Sequence, residues 1–411
     1  MGNNHFVINK DTLKESKELS FASELAREKV FDPRAIEIVS VEQTSSIFSH
    51  ICLAPLFDLH SASVGANAVR EEKAVQFIAG TANAFCVLGG DMVNSIIKAD
   101  QNCHDDKFGN QRAIAREIDL YSTIVDKIPL VLDGNHDGAN GNRWAASNMS
   151  PTRHIVDGLR SYDPISHSWN GPQHCKFGAV LNFKLPTCDN KRELKTLSIY
   201  LHHGTGKGSS PASSVEQEFG KAIAYINEQG EMVDAIITGH HHSNTSGIIA
   251  QKVPVYDKEG RLVNVLKKNA VVVSESTLQE VCNYALAGGF APTDSNVYIY
   301  DMCIARNNFF TTAKNNSQPE YVMKCTRIPM FRHKSDEYTQ EAMDYMNTYA
   351  EPNLELLNYF VSKMSNEEVH TKLGEQVQSY GSLDYVAPCL KRETEGSRLD
   401  PSQLDQEEKE L

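Results

Sequence analysis

Paired cysteines, an excess of basic charge and long apolar runs are all missing from this 411-residue sequence. The nine cysteines are scattered without a C-x-x-C pair, so we expect neither a disulfide framework nor a thiolate zinc site. The net charge of −13 disfavours tight, sequence-independent binding to long nucleic acid. No apolar run is long enough to span a bilayer, and the first residues lack the apolar stretch of a secretory signal. Together these absences predict a cytoplasmic protein.

Five segments share a pattern in which an apolar run breaks into glycine, aspartate, asparagine or histidine. They cover residues 51–60, 84–91, 128–137, 197–204 and 233–242. Short apolar runs with such ends predict buried strands, and amphipathic stretches at 67–80, 111–126 and 214–229 predict helices between them. The alternation of strands and helices indicates an α/β core with parallel strands. Open α/β sheets bind ligands at the carboxyl ends of their strands, where these polar residues lie.

The second half of the chain changes character after residue 245. Its β-rich segments predict antiparallel strands that complete a second sheet, at 253–276, 295–304 and 320–329. Residues 335–372 have mostly helical periodicity, and the last stretch is almost without apolar residues, which predicts disorder. We therefore divide the chain into a helical N-terminal extension (1–48), a core domain (49–330), a helical C-terminal extension (331–392) and a disordered acidic tail (393–411).

Residues with metal-binding side chains collect at the ends of the predicted strands. They are Asp58, His60, Asp91, Asn135, His136, Asp137, His202, His203, His240, His241 and His242. Carboxylate, imidazole and amide groups together suit Mn, Fe, Zn or Co. Because alternate residues of a strand share a face, we expect His240 and His242 to point one way and His241 the other. Two metals with one shared ligand need roughly six to eight ligands, and this set supplies that number.

The motifs D-x-H, G-G-D, G-N-H-D, a strand-end histidine and G-H-x-H, in this order, resemble those of the calcineurin-like metallophosphoesterase family. The motifs span residues 49–245. The resemblance implies a four-layer αββα sandwich of two mixed β-sheets flanked by helices over residues 49–330. It also implies two divalent metal ions, with Mn favoured over Fe or Zn. The enzyme would hydrolyse a phosphomonoester or phosphodiester by attack of a hydroxide that bridges the metals.

The resemblance assigns roles to individual residues. One metal would be bound by Asp58, His60 and His242 and the other by Asn135, His202 and His240, with Asp91 bridging them. His136 would contact the phosphoryl group and help to protonate the leaving oxygen, and Asp137 would orient His136.

The strand-end histidine of the family can be matched by His202 or by His203. We expect His202 to be the ligand, with His203 beside the metals or the substrate. Lys207 and Arg143 are further candidates for contacts with a substrate phosphate, because lysine and arginine are the usual phosphate-binding side chains.

Two other functions stay open. The chain could be a DNA or RNA nuclease of the same family that acts in repair or replication, although its acidic composition would then call for a basic partner subunit. It could also be a non-catalytic scaffold, although a scaffold has no need of a complete ligand set. The expected substrate is a small phosphoester or nucleotide, and we expect no contact with a membrane.

Overall fold

The computed structural model of the protein describes residues 37–41, 48–94, 107–137, 150–163, 168–175, 178–188, 194–204, 219–220, 222, 226, 232–242, 244–275, 277–280, 295–306 and 321–350. The helices are α1 (Ala68–Gly80), α2 (Asn110–Ser122), α3 (Pro151–Leu159) and α4 (Gln340–Thr348). The strands are β1 (Glu37–Val41), β2 (His50–Leu56), β3 (Ala84–Leu88), β4 (Leu130–Leu132), β5 (Ser161–Asp163), β6 (Ser168–Asn170), β7 (Gln173–Cys175), β8 (Gly178–Pro186), β9 (Leu194–His202), β10 (Ala235–Thr238), β11 (Thr245–Tyr256), β12 (Leu262–Ser274), β13 (Tyr298–Arg306) and β14 (Tyr321–Pro329). None of the helices within these ranges has the length and apolar character that crossing a membrane requires.

Two six-stranded sheets form the centre of the molecule. The first has the order β1-β8-β9-β10-β12-β11, and the second has the order β14-β13-β2-β3-β4-β7. In the first sheet the β8–β9 and β11–β12 pairs are antiparallel, and in the second the β13–β14 and β13–β2 pairs are. The remaining pairs are parallel. The predicted α/β class with two mixed sheets is therefore confirmed.

The two sheets pack face to face, and helices cover their outer faces. Leu53 and Val87 of the second sheet share one buried cluster with Leu181, Ile199 and Ile237 of the first. The outer face of the second sheet packs against side chains of α1 to α4, namely Phe77, Tyr121, Ile155 and Ala342. Helical residues Phe219, Ala222 and Ile226 cover the outer face of the first sheet beside Tyr200 and Ile236. This arrangement gives the four layers that the resemblance implies.

The strands that carry the predicted ligands are buried on both faces. Every residue of β3, β4 and β10 is buried, as is β2 from its second residue. Burial of one large aliphatic side chain contributes about 1.5–3 kcal/mol to the stability of the fold. The buried side chains of these strands therefore hold the ends of the loops that follow them in fixed positions. Continuous apolar runs, rather than alternating ones, are what this double coverage requires.

The β-rich segments of the second half divide between the two sheets. The pair β13 and β14 joins the second sheet beside β2, as expected. The pair β11 and β12 extends the first sheet instead, because Val271–Ser274 pairs in parallel with Ala235–Thr238. The expectation that all these segments complete one sheet is therefore wrong. Their antiparallel pairing is visible in the sequence, but the third strand that each hairpin joins is set by long-range packing.

The segment that we predicted to be an N-terminal extension contributes a strand to the core. β1 lies within residues 1–48 and pairs in parallel with β8 at one edge of the first sheet. In the predicted C-terminal extension, α4 begins after Thr339, whose side chain accepts a hydrogen bond from Ala342 N. The predicted N-terminal helix and residues 351–411 lie outside the described residues.

Candidate metal centre

Loops that follow five strands of the two sheets converge at one edge of the sandwich. Asp58 and His60 follow β2, Asp91 follows β3, Asn135 follows β4, His203 follows β9, and His240 and His242 follow β10. Within each sheet the strands that carry these residues are parallel, so their carboxyl ends lie at the same edge. The topology thus brings together residues that are up to 184 positions apart in the chain.

The side chains form two adjacent groups that could hold metal ions. The ligand atoms of Asp58, His60 and His242 all lie within 4.8 Å of one another, and those of Asp91, His203 and His240 do so as well. Asn135 joins the second group, with Oδ1 3.1 Å from His203 Nε2 and 2.7 Å from His240 Nδ1. The two groups are neighbours, since Asp58 Oδ1 lies 3.8 Å from His203 Nε2.

The first group contains buried polar atoms that have no hydrogen-bond partner. Asp58 Oδ1 and both ring nitrogens of His60 are in this state, and the two residues are 0% and 5% exposed. An unsatisfied buried polar group costs about 1–3 kcal/mol, and such groups are rare in folded proteins. A bound cation would satisfy Asp58 Oδ1 and one ring nitrogen of His60. The donor set and its burial therefore fit a metal ion.

The charge states also suit a cation. Burial, and after it the nearby His136, lower the pKa of His60 to about 3, so its imidazole is neutral, as a metal ligand must be. Burial alone would raise the pKa of Asp58 and Asp91. Neighbouring histidines, His242 and His203 foremost, outweigh burial and hold both pKa values below the ordinary value. Both carboxylates are thus ionised and available to a metal.

Protonated His203 compensates the negative charge of the Asp91 and Asp58 carboxylates. Burial disfavours its protonated form, but the carboxylates of Asp91 and Asp58 outweigh burial and raise the pKa of His203 to about 10. Its Nε2 lies 3.3 Å from Asp91 Oδ2, and its Nδ1 lies 2.8 Å from Gly89 O. A divalent cation could replace this proton as the partner of the two carboxylates.

The structure places His203, and not His202, in the cluster. His202 Nδ1 accepts a hydrogen bond from Gly204 N at 2.8 Å, and its ring stacks on Tyr200 with 6.2 Å between centroids. Side chains alternate along β9, so His202 shares the outer face with Tyr200, whereas His203 shares the inner face with Leu201. The place in the cluster that we expected for His202 is taken by His203. The apolar alternation Leu197–Ile199–Leu201 in the sequence carries the signal for this choice.

The backbone at the cluster is left-handed rather than extended. Positive φ angles occur at Asp58 (52°), His60 (47°), Asp91 (52°), His240 (69°) and His242 (49°). Strand alternation is therefore not the reason that these side chains meet, although His241 does stay outside the metal-binding groups of the described residues. Such conformations cost about 1–3 kcal/mol each and persist where the surroundings enforce them. Here Asp58 N donates to Gly90 O at 3.1 Å and His60 N to Asp91 O at 2.9 Å.

Two glycines leave room for the carboxylates. A Cβ atom on Gly134 would lie 2.1 Å from Asp91 Oδ1, and one on Gly239 would lie 2.7 Å from Asp58 Oδ2. The loop backbone at these glycines therefore lies directly against the carboxylates. Without side chains, the loops after β4 and β10 can pass directly over the two aspartates.

His136 lies at the partly exposed side of the cluster. Its backbone N donates to Asp91 Oδ1 at 2.7 Å, and its ring meets that of His60 edge-on at 4.9 Å. Its Nδ1 lies 2.7 Å from Asn94 O. With His60 and Asp91 it forms a third group whose ligand atoms lie within 4.8 Å of one another.

Asp137 supports the loops instead of the His136 ring. Its Oδ2 accepts hydrogen bonds from Asp91 N at 2.7 Å and from Gly134 N at 2.9 Å. Burial, followed by the nearby Asp91 and Asp133, raises the pKa of Asp137 to about 7. The contact that orients the His136 ring is with Asn94 O, so the role that we expected for Asp137 changes to holding the Asp91 loop in place.

Two predicted substrate contacts, Lys207 and Arg143, lie outside the described residues.

No protein-family model matches the sequence. No curated protein matches it either. Among solved structures, the chain is similar to the crystal structure of the calcineurin-like phosphoesterase YfkN from Bacillus subtilis. The two are 11% identical with a TM-score of 0.32, over 75% of this chain and 98% of that one. This level of similarity assigns no family, so we infer the function from the side chains of the cluster.

Proposed function

We propose that the chain is a metal-dependent phosphoesterase that holds two divalent cations at the candidate metal centre. One cation would be bound by Asp58, His60 and His242 and the other by Asn135, His203 and His240, with Asp91 between them. The observation that carries the proposal is the pair of adjacent Asp/His groups, in which buried atoms of Asp58 and His60 make no hydrogen bond. Carboxylate and imidazole donors of this kind suit Mn, Zn or Fe.

Two bound cations supply Lewis acidity, since they lower the pKa of water and neutralise charge that develops on phosphoryl oxygens. The protein positions the reactants. Asp137 holds the backbone of Asp91 and Gly134, which fixes the central carboxylate between the two groups. Rigid positioning of this kind contributes to catalysis because no reorganisation is needed during the reaction.

His136 is the residue that we propose to donate a proton to the leaving oxygen. A carbonyl oxygen can only accept, so the contact with Asn94 O assigns a proton to His136 Nδ1. Nε2 is then the atom that can exchange a proton with the substrate, provided that the ring is an imidazolium before the transfer. The side chain is partly exposed, as this role requires.

The substrate that we propose is a small phosphomonoester or phosphodiester. The side chain of His242 is 27% exposed, and His240 and Asn135 are also partly exposed, whereas Asp58 and Asp91 are buried beneath them. This arrangement lets a phosphoryl group reach the cluster from solvent while the carboxylates stay shielded from water.

The test is hydrolysis of p-nitrophenyl phosphate and bis(p-nitrophenyl) phosphate by the purified chain after chelation and after addition of Mn, Zn or Fe. We expect activity only with added metal. We expect Asp91→Asn to lower the metal-dependent hydrolysis rate by at least about 100-fold. Loss of a group that only supports a ligand costs up to about 100-fold, and we propose that Asp91 is itself a ligand. Asp119→Asn, at an exposed aspartate of α2, is the matched control.

Full activity of Asp91→Asn, or hydrolysis that survives complete removal of metal, would contradict the proposal. If the chain degraded labelled oligonucleotides much faster than it hydrolysed either p-nitrophenyl ester, the result would favour the alternative that it is a DNA or RNA nuclease. If the purified chain bound no metal at this centre, a non-catalytic scaffold would be the better interpretation.

A further inference from the structure

A second cluster of metal-binding side chains lies at the opposite end of β2. It consists of His50, Cys188 and Cys303, whose ligand atoms all lie within 4.8 Å of one another. His50 is the first residue of β2, and the candidate metal centre begins beyond its last residue, Leu56. At about 3.3 Å per residue, the strand separates the two clusters by roughly 20 Å. The second cluster is therefore independent of the first.

The fold brings the three residues together from three distant parts of the chain. Cys303 on β13 stands directly opposite His50 on β2 in an antiparallel ladder, so the two side chains share a face. Cys188 follows β8 of the other sheet, and its backbone N donates to Ile304 O at 2.8 Å, beside Cys303. Ile304 lies one residue past the Cys303–His50 pair, beyond the first residue of β2. It holds the Cys188 loop in place next to the cross-strand pair.

Asp301 supports the histidine of the cluster. Its Oδ1 lies 3.2 Å from His50 Nδ1 and accepts a hydrogen bond from the hydroxyl of Tyr345 at 2.9 Å. An ionised carboxylate can only accept, so Nδ1 carries a proton, and in the neutral imidazole Nε2 keeps the electron pair that a metal would bind. Histidines that bind metals usually donate their other ring N–H to a carboxylate in this way.

We propose that His50, Cys188 and Cys303 form a binding site for Zn²⁺, with the fourth position open to water or to an external ligand. Two thiolates and one imidazole are a known zinc donor set, and sulfur selects zinc over the harder manganese ion. Ligand atoms around tetrahedral zinc are roughly 3.5–3.8 Å apart, as follows from the usual bond lengths. Binding would draw the present cluster together by at most about an ångström and release the two thiol protons.

Access and burial are consistent with a bound ion. Cys303 is buried, whereas Cys188 and His50 are partly exposed, so an ion can enter from the solvent side and be enclosed on the other. The positions 50, 188 and 303 have no zinc-type spacing in the sequence, which explains why spacing alone predicts no thiolate site.

Cobalt(II) distinguishes this site from the candidate metal centre. A cobalt–thiolate bond gives charge-transfer absorption in the near ultraviolet, and the oxygen and nitrogen donors of the candidate metal centre give none. The experiment is a titration of the reduced full-length chain with Co²⁺, followed by addition of Zn²⁺ or Mn²⁺. We expect a saturable thiolate band that Zn²⁺ removes and Mn²⁺ leaves in place.

Variants then assign the band to its ligands. We expect Cys188→Ser and Cys303→Ser each to abolish the band and Asp301→Asn to weaken Co²⁺ affinity by about 10–100-fold, the range for a group that supports a ligand. Cys325→Ser removes another partly exposed cysteine, on β14, and is expected to keep the band. Should Cys303→Ser fail to fold, Cys188→Ser still decides, because Cys188 is partly exposed.

Two results would overturn the proposal. One is the absence of a thiolate band in the reduced chain, or its persistence in Cys188→Ser. The other is a Cys188–Cys303 disulfide, detected by mass spectrometry of the oxidised chain, together with a reduced chain that binds no Co²⁺. That combination would make the pair a redox element and not a metal site.

Discussion

Glu275 is a buried carboxylic acid directly after β12, close to the candidate metal centre. It is 2% exposed, and its backbone N donates to Thr238 O at 2.7 Å, two residues before His240. Burial raises the pKa of Glu275 from 4.5 to about 8, and the opposing effects of Tyr300 and Arg327 only partly offset burial. The side chain is therefore largely neutral at pH 7 in the folded protein.

The raised pKa makes a definite prediction about stability. The folded state binds the proton of Glu275 more tightly than the unfolded state does. Its stabilising contribution is therefore complete below pH 4.5 and is lost as the pH rises through about 8. Each pH unit between the two pKa values is worth about 1.4 kcal/mol, so the whole span amounts to at most about 5 kcal/mol. A typical domain has about 5–15 kcal/mol in total, so the effect is large enough to measure.

The perturbation is Glu275→Gln, which keeps the shape of the side chain and removes the titration. The measurement is the free energy of unfolding in urea for the wild-type and variant chains between pH 5 and pH 9, at equal metal content. We expect the wild type to lose about 4 kcal/mol relative to Glu275→Gln across this interval. Effects of other titrating groups cancel in the difference between the two chains.

Glu259→Gln removes a carboxylate from the exposed turn between β11 and β12 and is the matched control. A wild-type-minus-Glu275→Gln difference that stays constant from pH 5 to pH 9 would refute the reasoning. It would mean that Glu275 is ionised throughout the interval in the folded protein.

Two further predictions concern the choice of ligand and a buried charge network. His203→Ala is expected to lower metal-dependent hydrolysis by at least about 100-fold, and His202→Ala by only a few-fold, in the same p-nitrophenyl ester assay. Arg116→Met is expected to lower the free energy of unfolding by about 3 kcal/mol, because it leaves the buried Glu71 carboxylate, 2.6 Å from the guanidinium, without its cation. Glu117 lies 2.7 Å from the same guanidinium, but burial and Glu71 raise its pKa well above the ordinary value. Urea denaturation at pH 7 measures this loss.

Arg112→Met, at an exposed position of the same helix, is the control for the network and is expected to cost far less. Equal losses in the two arginine variants would contradict the role of the buried carboxylates. For the ligand prediction, a larger loss in His202→Ala than in His203→Ala would restore the assignment made from the sequence.

Much of the candidate metal centre follows from local patterns in the sequence. Fully apolar runs mark strands that are covered on both faces. The polar residues that end such runs lie in the loops at the carboxyl ends of these strands, where open α/β sheets bind ligands. The order of Asp58, His60, Asp91, Asn135 and the 240–242 histidines could therefore be predicted without a structure, as could the α/β class. These features are local, since a few adjacent residues decide whether a segment is a buried strand or a polar loop.

Other features depended on the tertiary structure. The alternation of Leu197, Ile199 and Leu201 shows in the sequence that His203 shares their face of β9, but only the packing of this face against the second sheet decides that His203 reaches the cluster. The partner strand of β12 and the meeting of Cys188 with Cys303 depend on contacts between residues more than 30 positions apart. The sequence by itself determined which segments are strands and which side chains end them. Only the packing of the two sheets decided which of those side chains meet, because distance along the chain does not specify distance in space.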